Sequence, residues 1–257
     1  PGQANISNIS TVADAGGDLY QKGTLAPTNP VSAYYGGKEL GPEESMNTSF
    51  GIVWNPSDSF NITFDFYQIE LEDRITQGDD IAITAADIAT LTALGIPGAG
   101  DLTNFRFYVN DFDTTTEGHD LVATYDTEIN GGSTTFTYVY SHVETNVDRT
   151  GGLIGSGRID QLEKLLPENR WNFSAVHFKN DWRLLARLNW VDEWFTEEWG
   201  GGGGYIGDMM TLDVEISKAL SDTYTLTLGS QNALNEYPDK EKRGLILGWE
   251  YPEASPL

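Results

Sequence analysis

The feature that most constrains this sequence is the alternation of apolar and polar residues along several long segments. In the stretch 210–217, Met, Leu, Val and Ile alternate with Thr, Asp, Glu and Ser. The stretches 182–190 and 223–229 follow the same period. Because successive side chains of a β-strand point to opposite faces, each segment predicts a strand with one apolar face and one polar face.

The connections between the predicted strands are alternately very short and long. Short turns are expected at 55–58, 130–132, 179–181 and 221–222, and long excursions at 76–104, 143–168 and 192–208. Outer-membrane β-barrels have this asymmetry, with short periplasmic turns and long extracellular loops. A soluble β-sandwich has more even loops. Its solvated face would nevertheless explain equally well the charged residues of the predicted strands, Arg183, Arg187, Asp213 and Glu215.

Two of the long excursions contain helix signals. In the first, Thr84 can cap a helix that has apolar residues at 88, 91 and 94 and that stops before Gly95. In the second, the stretch 157–166 has apolar residues at 159, 162 and 165 and ends before Pro167. We therefore expect short helices within long loops.

Composition excludes several classes of function. The formal net charge is −24 and cysteine is absent, which disfavours nucleic-acid binding and removes thiolate catalysis and zinc-thiolate sites. Divalent cations on exposed carboxylates stay open, and Asp111, Asp113, Glu117 and Asp120 are the candidates for calcium. They do not fit the EF-hand pattern, because Thr116 stands where glycine is required. We favour polar strand residues, and we expect no cofactor and no metal.

The sequence offers no catalytic constellation and no transmembrane helix. His119, His142 and His177 are far apart, and none is paired with a nucleophile. The chain is therefore expected not to be an enzyme. No run of about 18 apolar residues occurs, and residues 1–3 are not a signal peptide, so any export signal would lie upstream.

Several blocks of residues resemble a known family in their order and spacing. Residues 40–45 read Leu-Gly-Pro-Glu-Glu-Ser, followed by Asn47, Phe50-Gly51 and Trp54, and residues 61–69 read Asn-Ile-Thr-Phe-Asp-Phe-Tyr-Gln-Ile. Tyr108-Val109-Asn110 then precedes Gly118-His119-Asp120-Leu121, and residues 232–238 read Asn-Ala-Leu-Asn-Glu-Tyr-Pro. Together these blocks resemble the barrel of the TonB-dependent receptors. Ala233 and Asn235 depart from it, since the family usually has a bulkier residue and an Asp there.

The resemblance implies an all-β fold, a transmembrane antiparallel β-barrel segment with short helices in its extracellular loops. About eight strands are expected, out of the 22 in the family's barrels. Residues 1–257 would then be a partial barrel, with the plug domain, the TonB-contacting segment and the last strand outside this sequence. The strand from 104 to 128 is expected to be a single long element.

By the same resemblance, the parent protein is an active importer in the bacterial outer membrane. It would take up a scarce nutrient, an iron-siderophore, cobalamin or an oligosaccharide, with energy from the TonB complex acting through the plug. Outer-membrane lipid would surround it, and nucleic acid would not be a partner. Two alternatives stay open: a passive porin or surface adhesin barrel, and a soluble carbohydrate-binding β domain.

The aromatic segment 190–205 is the most distinctive candidate for a binding site. Trp194, Phe195, Trp199 and Tyr205 could stack on a sugar or on an aromatic siderophore, and they are our predicted substrate-binding residues. The alternative is that Trp190 and Trp194 belong to the aromatic girdle at the membrane boundary.

Overall fold

The computed structural model describes residues 8–13, 19–96, 103–198 and 202–239. The described chain groups into two compact units. Unit 1 comprises the segments 1–46, 70–115 and 146–162, and unit 2 the segments 47–69, 116–145 and 163–257. Four strands, over residues 44–57, 60–77, 104–129 and 132–150, cross a boundary between these segments along the chain.

The described elements are predominantly β-strands. In chain order the strands are β1 (Asn8–Ala13), β2 (Leu19–Leu25), β3 (Glu44–Ser57), β4 (Phe60–Gln77), β5 (Ile81–Ala82), β6 (Asn104–Ile129), β7 (Gly132–Thr150), β8 (Asn169–Lys179), β9 (Trp182–Val191), β10 (Trp194–Glu198), β11 (Gly202–Ile206), β12 (Met209–Ala219) and β13 (Thr225–Ser230). The helices are α1 (Pro30–Tyr34), α2 (Ala85–Ala93) and α3 (Ser156–Lys164). Among these residues, no helix combines the length and the apolar character needed to cross a membrane.

Eight of the eleven strands in the main sheet are successive neighbours, in the order β3, β4, β6, β7, β8, β9, β12, β13. The pairs from β7 to β13 are antiparallel in continuous register. The predicted eight-strand antiparallel segment is therefore confirmed, and so is the single long strand over 104–128, which extends from Asn104 to Ile129. β10 and β11 form a separate two-stranded sheet.

Turn chemistry explains why the short connections are so tight. Asn130 and Gly131 both have positive φ, at 53° and 72°, and Asn180 has a φ of 51°. Two-residue hairpins of the primed type need this backbone, and Asn and Gly adopt it with the least strain. The longer connections follow β4, β7 and β9, so the predicted alternation of short and long connections is present.

Unit 1 has a hydrophobic core of its own, built from Leu25, Val31, Leu91, Phe105, Phe107 and Val109. α2 supplies Leu91, and its start is fixed by a capping box in which Thr84 and Asp87 bond to each other's backbone N–H. The helix predicted from Thr84 is thus confirmed. Residue 94, which we placed on its apolar face, is exposed because Leu94 is already the C-cap.

One feature of unit 1 departs from the antiparallel expectation. β2 pairs with the start of β6 in parallel, from Lys22 opposite Asn104 to Leu25 opposite Phe107. This pairing brings Leu25 into the core that contains Phe105 and Phe107. Periodicity cannot reveal it, because alternation is the same for parallel and antiparallel partners.

Candidate membrane-facing wall and binding site

In unit 2 the apolar and polar faces are reversed relative to a soluble protein. On β12 the Met210 side chain is 44% exposed, whereas its neighbour Thr211 is 4% exposed. Val214 and Ile216 are likewise exposed, and Ser217 is buried. A soluble strand buries its apolar face, so this arrangement suits a wall whose apolar side contacts lipid.

Cross-strand register assembles the exposed and half-buried apolar side chains of this face into one surface. Trp190, Leu188, Ala186 and Leu184 on β9 stand opposite Trp171, Phe173, Ala175 and His177 on β8, and opposite Met210, Leu212, Val214 and Ile216 on β12. We call these residues, with Tyr138 and Phe136 of β7 and Leu226 and Leu228 of β13, the apolar band. β9 has 10 residues, which matches the roughly 9–11 residues that a tilted transmembrane strand needs.

Aromatic rings line the edge of the apolar band from which the long connections leave. The ring centroids of Trp171 and Trp190 are 6.2 Å apart, and those of Tyr138 and Trp171 are 6.3 Å apart. The indole N–H of Trp190 donates to Asp208 at 2.9 Å. Rings with an apolar body and a polar tip are enriched at membrane boundaries, so this row has the character of an aromatic girdle.

The opposite face of the same strands carries polar groups that satisfy one another. Arg183 forms an ion pair with Glu215, which also accepts from the Ser217 hydroxyl at 3.1 Å. The side-chain amide of Asn189 donates through Nδ2 to the Asp213 carboxylate at 3.1 Å. Charged residues within ideal strands are therefore explained by a polar face turned away from lipid.

The predicted binding residues of the segment 190–205 lie on a hairpin formed by β10 and β11. Trp194 stands opposite Ile206, and Phe195 opposite Tyr205. Trp194 is 3% exposed and packs with Val191, Ile206 and Met209, so it is a core residue of the hairpin and not part of the girdle. Trp199 lies outside the described residues.

Of Trp194, Phe195 and Tyr205, only Tyr205 is accessible to solvent. Its side chain is 54% exposed, and its ring meets the edge of the Phe195 ring with the centroids 5.7 Å apart. Phe195 is itself buried. Of the described candidates, Tyr205 presents a ring to solvent, while Phe195 and Trp194 hold the hairpin on which it stands.

The sequence predicts a long loop over 192–208, whereas the structure contains the β10–β11 hairpin there. Trp194-Phe195 and Tyr205-Ile206 flank a run of glycines, and aromatic and β-branched residues on both sides of a Gly-rich turn are a hairpin signal. The segments are too short for alternation to reveal them.

Two of the acidic residues considered for calcium, Asp111 and Asp113, are bonded to protein groups in unit 1. Asp113 accepts from Arg149 at 2.5 and 2.8 Å, and Arg149 also reaches Asp73 at 2.9 Å. The hydrogen bonds from Arg149 lower the pKa of Asp113, and the backbone N–H of Asp73 adds to this effect. Buried Asp111 accepts from the Leu153 N–H at 2.7 Å.

Asp73 has a φ of 51°, which is unusual for a residue inside a strand. Its backbone N–H donates to Asp113 at 2.9 Å, and its carbonyl accepts from the Asn110 side chain at 2.6 Å. Among the residues that the structure describes, no group of three or more His, Cys, Asp or Glu side chains is arranged to hold a metal. The expectation of no cofactor stays a prediction.

The reversed faces, the girdle and the alternation of turns and loops define an outer-membrane β-barrel wall. The chain matches the family described as TonB dependent receptor-like, beta-barrel, over residues 4–233. It therefore belongs to this family, as the sequence blocks indicated. Receptors of this family lie in the outer membrane of Gram-negative bacteria and are transporters, which confirms the predicted location and the prediction of a non-enzymatic protein.

Solved structures show the same fold at low sequence identity. The FrpB iron transporter from Neisseria meningitidis is 16% identical with a TM-score of 0.55, over 77% of this chain and 28% of that chain. The outer membrane transporter YddB from Escherichia coli is 11% identical with a TM-score of 0.54, over 78% and 30%. The ferripyoverdine receptor of the outer membrane of Pseudomonas aeruginosa is 16% identical with a TM-score of 0.53, over 79% and 25%.

These coverages mean that the chain spans between a quarter and a third of the length of the three receptors. No curated protein sequence matches it.

Proposed function

We propose that this chain is a wall segment of an active importer that takes up a scarce nutrient with energy from the TonB complex. The observation that carries the proposal is the apolar band backed by a paired polar face, in a chain of the TonB-dependent receptor family. Such a wall encloses a polar interior, which is what a large solute needs to pass a bilayer.

The ends of the strand order support a larger barrel. β3 and β13 are the outer strands of the eight, and every residue of both is exposed. In lipid, the free N–H and C=O groups of a strand edge cost several kcal/mol each, roughly, so a barrel must close. We therefore expect further strands of the parent receptor to pair with both edges, and a plug domain to carry the TonB contact.

For the substrate we propose an iron-siderophore, ahead of cobalamin or an oligosaccharide. The exposed ring of Tyr205 gives a stacking surface, and the solved structures that share the fold include an iron transporter and a ferripyoverdine receptor. The parent receptor would be tested in a strain that lacks it, with iron-siderophores, cobalamin and oligosaccharides supplied one at a time as the limiting nutrient.

The experiment also separates active from passive transport. Radiolabelled substrate would be measured in cells with and without an uncoupler that abolishes the inner-membrane proton gradient. An importer coupled to the TonB complex binds substrate at the surface but stops accumulating it. Uptake that continues unchanged after uncoupling would show a passive porin, and failure to bind any of the three substrate classes would refute the proposed substrate range.

A further inference from the structure

The apolar band contains an open groove toward the edge that carries the short turns. The groove has a volume of about 640 Å³ and crosses β8, β9, β12 and β13. Its apolar lining includes Ala175, Leu184, Ala186, Val214, Ile216 and Leu228. Ala175 and Ala186 stand directly opposite each other, and their small side chains leave the space that larger neighbours fill elsewhere.

Two lysines stand at the short-turn end of this groove. Lys179 on β8 and Lys218 on β12 each pair in register with Trp182 on the strand between them. The Lys218 ammonium lies 4.8 Å from the centre of the Trp182 ring, and the Lys179 ammonium donates to the Asn130 carbonyl at 2.6 Å. An ammonium has three donors, so each lysine keeps hydrogen-bonding capacity for an anion.

This pair of cations is unusual in a chain with 15 basic and 39 acidic residues. The carboxylate of Glu215, on the same strand as Lys218, lies on the opposite, polar face of the sheet, where it is bonded to Arg183 and Ser217. The lysines therefore form a local positive site at the boundary of an apolar surface. Such a site complements an anionic headgroup attached to an apolar chain.

His177 supplies a third polar group, between the lysines and the alanines. It lies opposite Leu184 on β9, two residues from Lys179, or about 7 Å along the strand. Its Nδ1 is 2.8 Å from the Thr134 hydroxyl, which fixes the ring against β7. A lipid whose phosphate reaches the lysines would bring its glycerol ester region to this depth.

We propose that this groove, with Lys179, Lys218 and Trp182 at its mouth, binds one anionic phospholipid. The phosphate contacts the two ammonium groups, the ester region lies beside His177, and an acyl chain occupies the space above Ala175 and Ala186. Short turns mark the periplasmic side of such barrels, so the lipid belongs to the periplasmic leaflet. The proposal rests on the outer-membrane location of the family and is independent of the substrate.

Lipid fits this surface better than free phosphate or a second copy of the chain. Free phosphate would leave the apolar groove exposed, whereas an acyl chain fills it. A two-fold contact between copies would place the same lysines on both sides of the interface, where like charges repel. Phosphate and a second copy are therefore outcomes that the experiment must exclude.

The test is native mass spectrometry of the purified receptor, delipidated in detergent and titrated with phosphatidylglycerol. The unmodified protein should retain one lipid in preference to the zwitterionic phosphatidylethanolamine. Lys179→Gln/Lys218→Gln should weaken binding roughly 30-fold, about fivefold for each lysine. Arg187→Gln is the matched control. It removes a cation from the polar face of β9, opposite the groove, and should leave binding within twofold.

A second variant tests the groove without changing charge. Ala186→Phe fills the space above Ala175 and should weaken phosphatidylglycerol binding at least tenfold, while heat-modifiable electrophoretic mobility reports whether the barrel is folded. Glycerol phosphate, which lacks acyl chains, should not compete at a tenfold excess. Unchanged binding in both variants, equal competition by glycerol phosphate, or dimers replacing lipid adducts would overturn the proposal.

Discussion

Trp171 and Trp190 stand directly opposite each other on β8 and β9, with their rings stacked at 19° and their centroids 6.2 Å apart. The pair marks the edge of the apolar band toward the long connections. Trp182 marks the other edge, eight residues from Trp190 on the same strand, or about 27 Å along it. With a strand tilt of about 35–45°, this spacing spans about 19–22 Å along the membrane normal, which places both edges within or close to the roughly 25 Å apolar band of such barrels.

Replacing Trp190 should therefore weaken the anchoring of the wall. Trp190→Ala removes the stacked ring and the N–H bonded to Asp208. The stacking on Trp171 alone contributes about 1 kcal/mol to stability. The loss of stability would be measured as a decrease in the urea concentration at the unfolding midpoint of the receptor refolded in vesicles. Trp190→Phe keeps a ring and should lose less, so an equal loss in both variants would contradict a role for stacking.

A charge placed in the apolar band should be costly, whereas a charge on the polar face should not. Ala186→Lys introduces an ammonium near the middle of the band and should cost about 2–4 kcal/mol of folding free energy in vesicles. Arg187→Lys changes the next residue of β9, where a cation already stands, and should stay within about 0.5 kcal/mol. Equal tolerance of the two lysines would show that this face does not contact lipid.

The ion pairs around Arg149 should make unit 1 less stable in acid. The hydrogen bonds from Arg149 hold the pKa of Asp113 below the ordinary aspartate value of about 3.9, so the stabilisation is complete above that value and is lost as the pH falls through the lower, folded pKa. Amide exchange at Asp73, corrected for intrinsic rates, should accelerate below about pH 4. In the Asp113→Asn variant, the amide of Asp73 should exchange fast at every pH. If its exchange still depended on pH, that dependence would belong to another titrating group.

The start of α2 depends on one hydroxyl. Thr84→Ala removes the bond from the Asp87 N–H to the Thr84 oxygen and should destabilise the helix by about 1 kcal/mol. Amide exchange of residues 87–91 would report this as a roughly fivefold rise in opening. Thr84→Ser retains the hydroxyl and should restore protection, and if it does not, the loss arises from the threonine methyl group.

Tyr205 and Trp194 should behave differently when truncated. Tyr205→Ala removes an exposed ring and should lower affinity for the substrate about tenfold without unfolding the receptor, in line with about 1–1.5 kcal/mol for an aromatic contact. Trp194→Ala removes a buried side chain and should cost about 3–5 kcal/mol of local stability. Binding measured by fluorescence quenching separates them, and a Tyr205→Ala receptor with unchanged affinity would remove this residue from the site.

Much of the wall could be predicted from the sequence because a period of two is a direct consequence of strand geometry. The strands at 182–190 and 210–217, the asymmetry of the connections and the helix after Thr84 were all predicted correctly. Those features depend on local residue order alone.

The parts that were missed depend on partners that are distant in sequence. The parallel pairing of Lys22 with Asn104 joins residues that share no pattern, and the burial of Trp194 follows from Ile206 and Met209 on the far side of a glycine run. An aromatic residue in a loop has the same sequence signature whether it binds a ligand or fills a core. Only the pairing of β10 with β11 distinguishes Trp194 from Tyr205.

The most direct test of the membrane-facing wall uses the absence of cysteine from the chain. Ala186→Cys and Arg187→Cys would be spin-labelled separately in the intact receptor in bilayers, after removal of any cysteine outside this chain, and the label's relaxation measured with dissolved oxygen and with a water-soluble nickel complex. Both side chains are exposed in the structure, yet they lie on opposite faces of β9. The wall predicts that the label at 186 responds to oxygen and the label at 187 to nickel. Labels that both respond to nickel would place the apolar band in water and contradict the account.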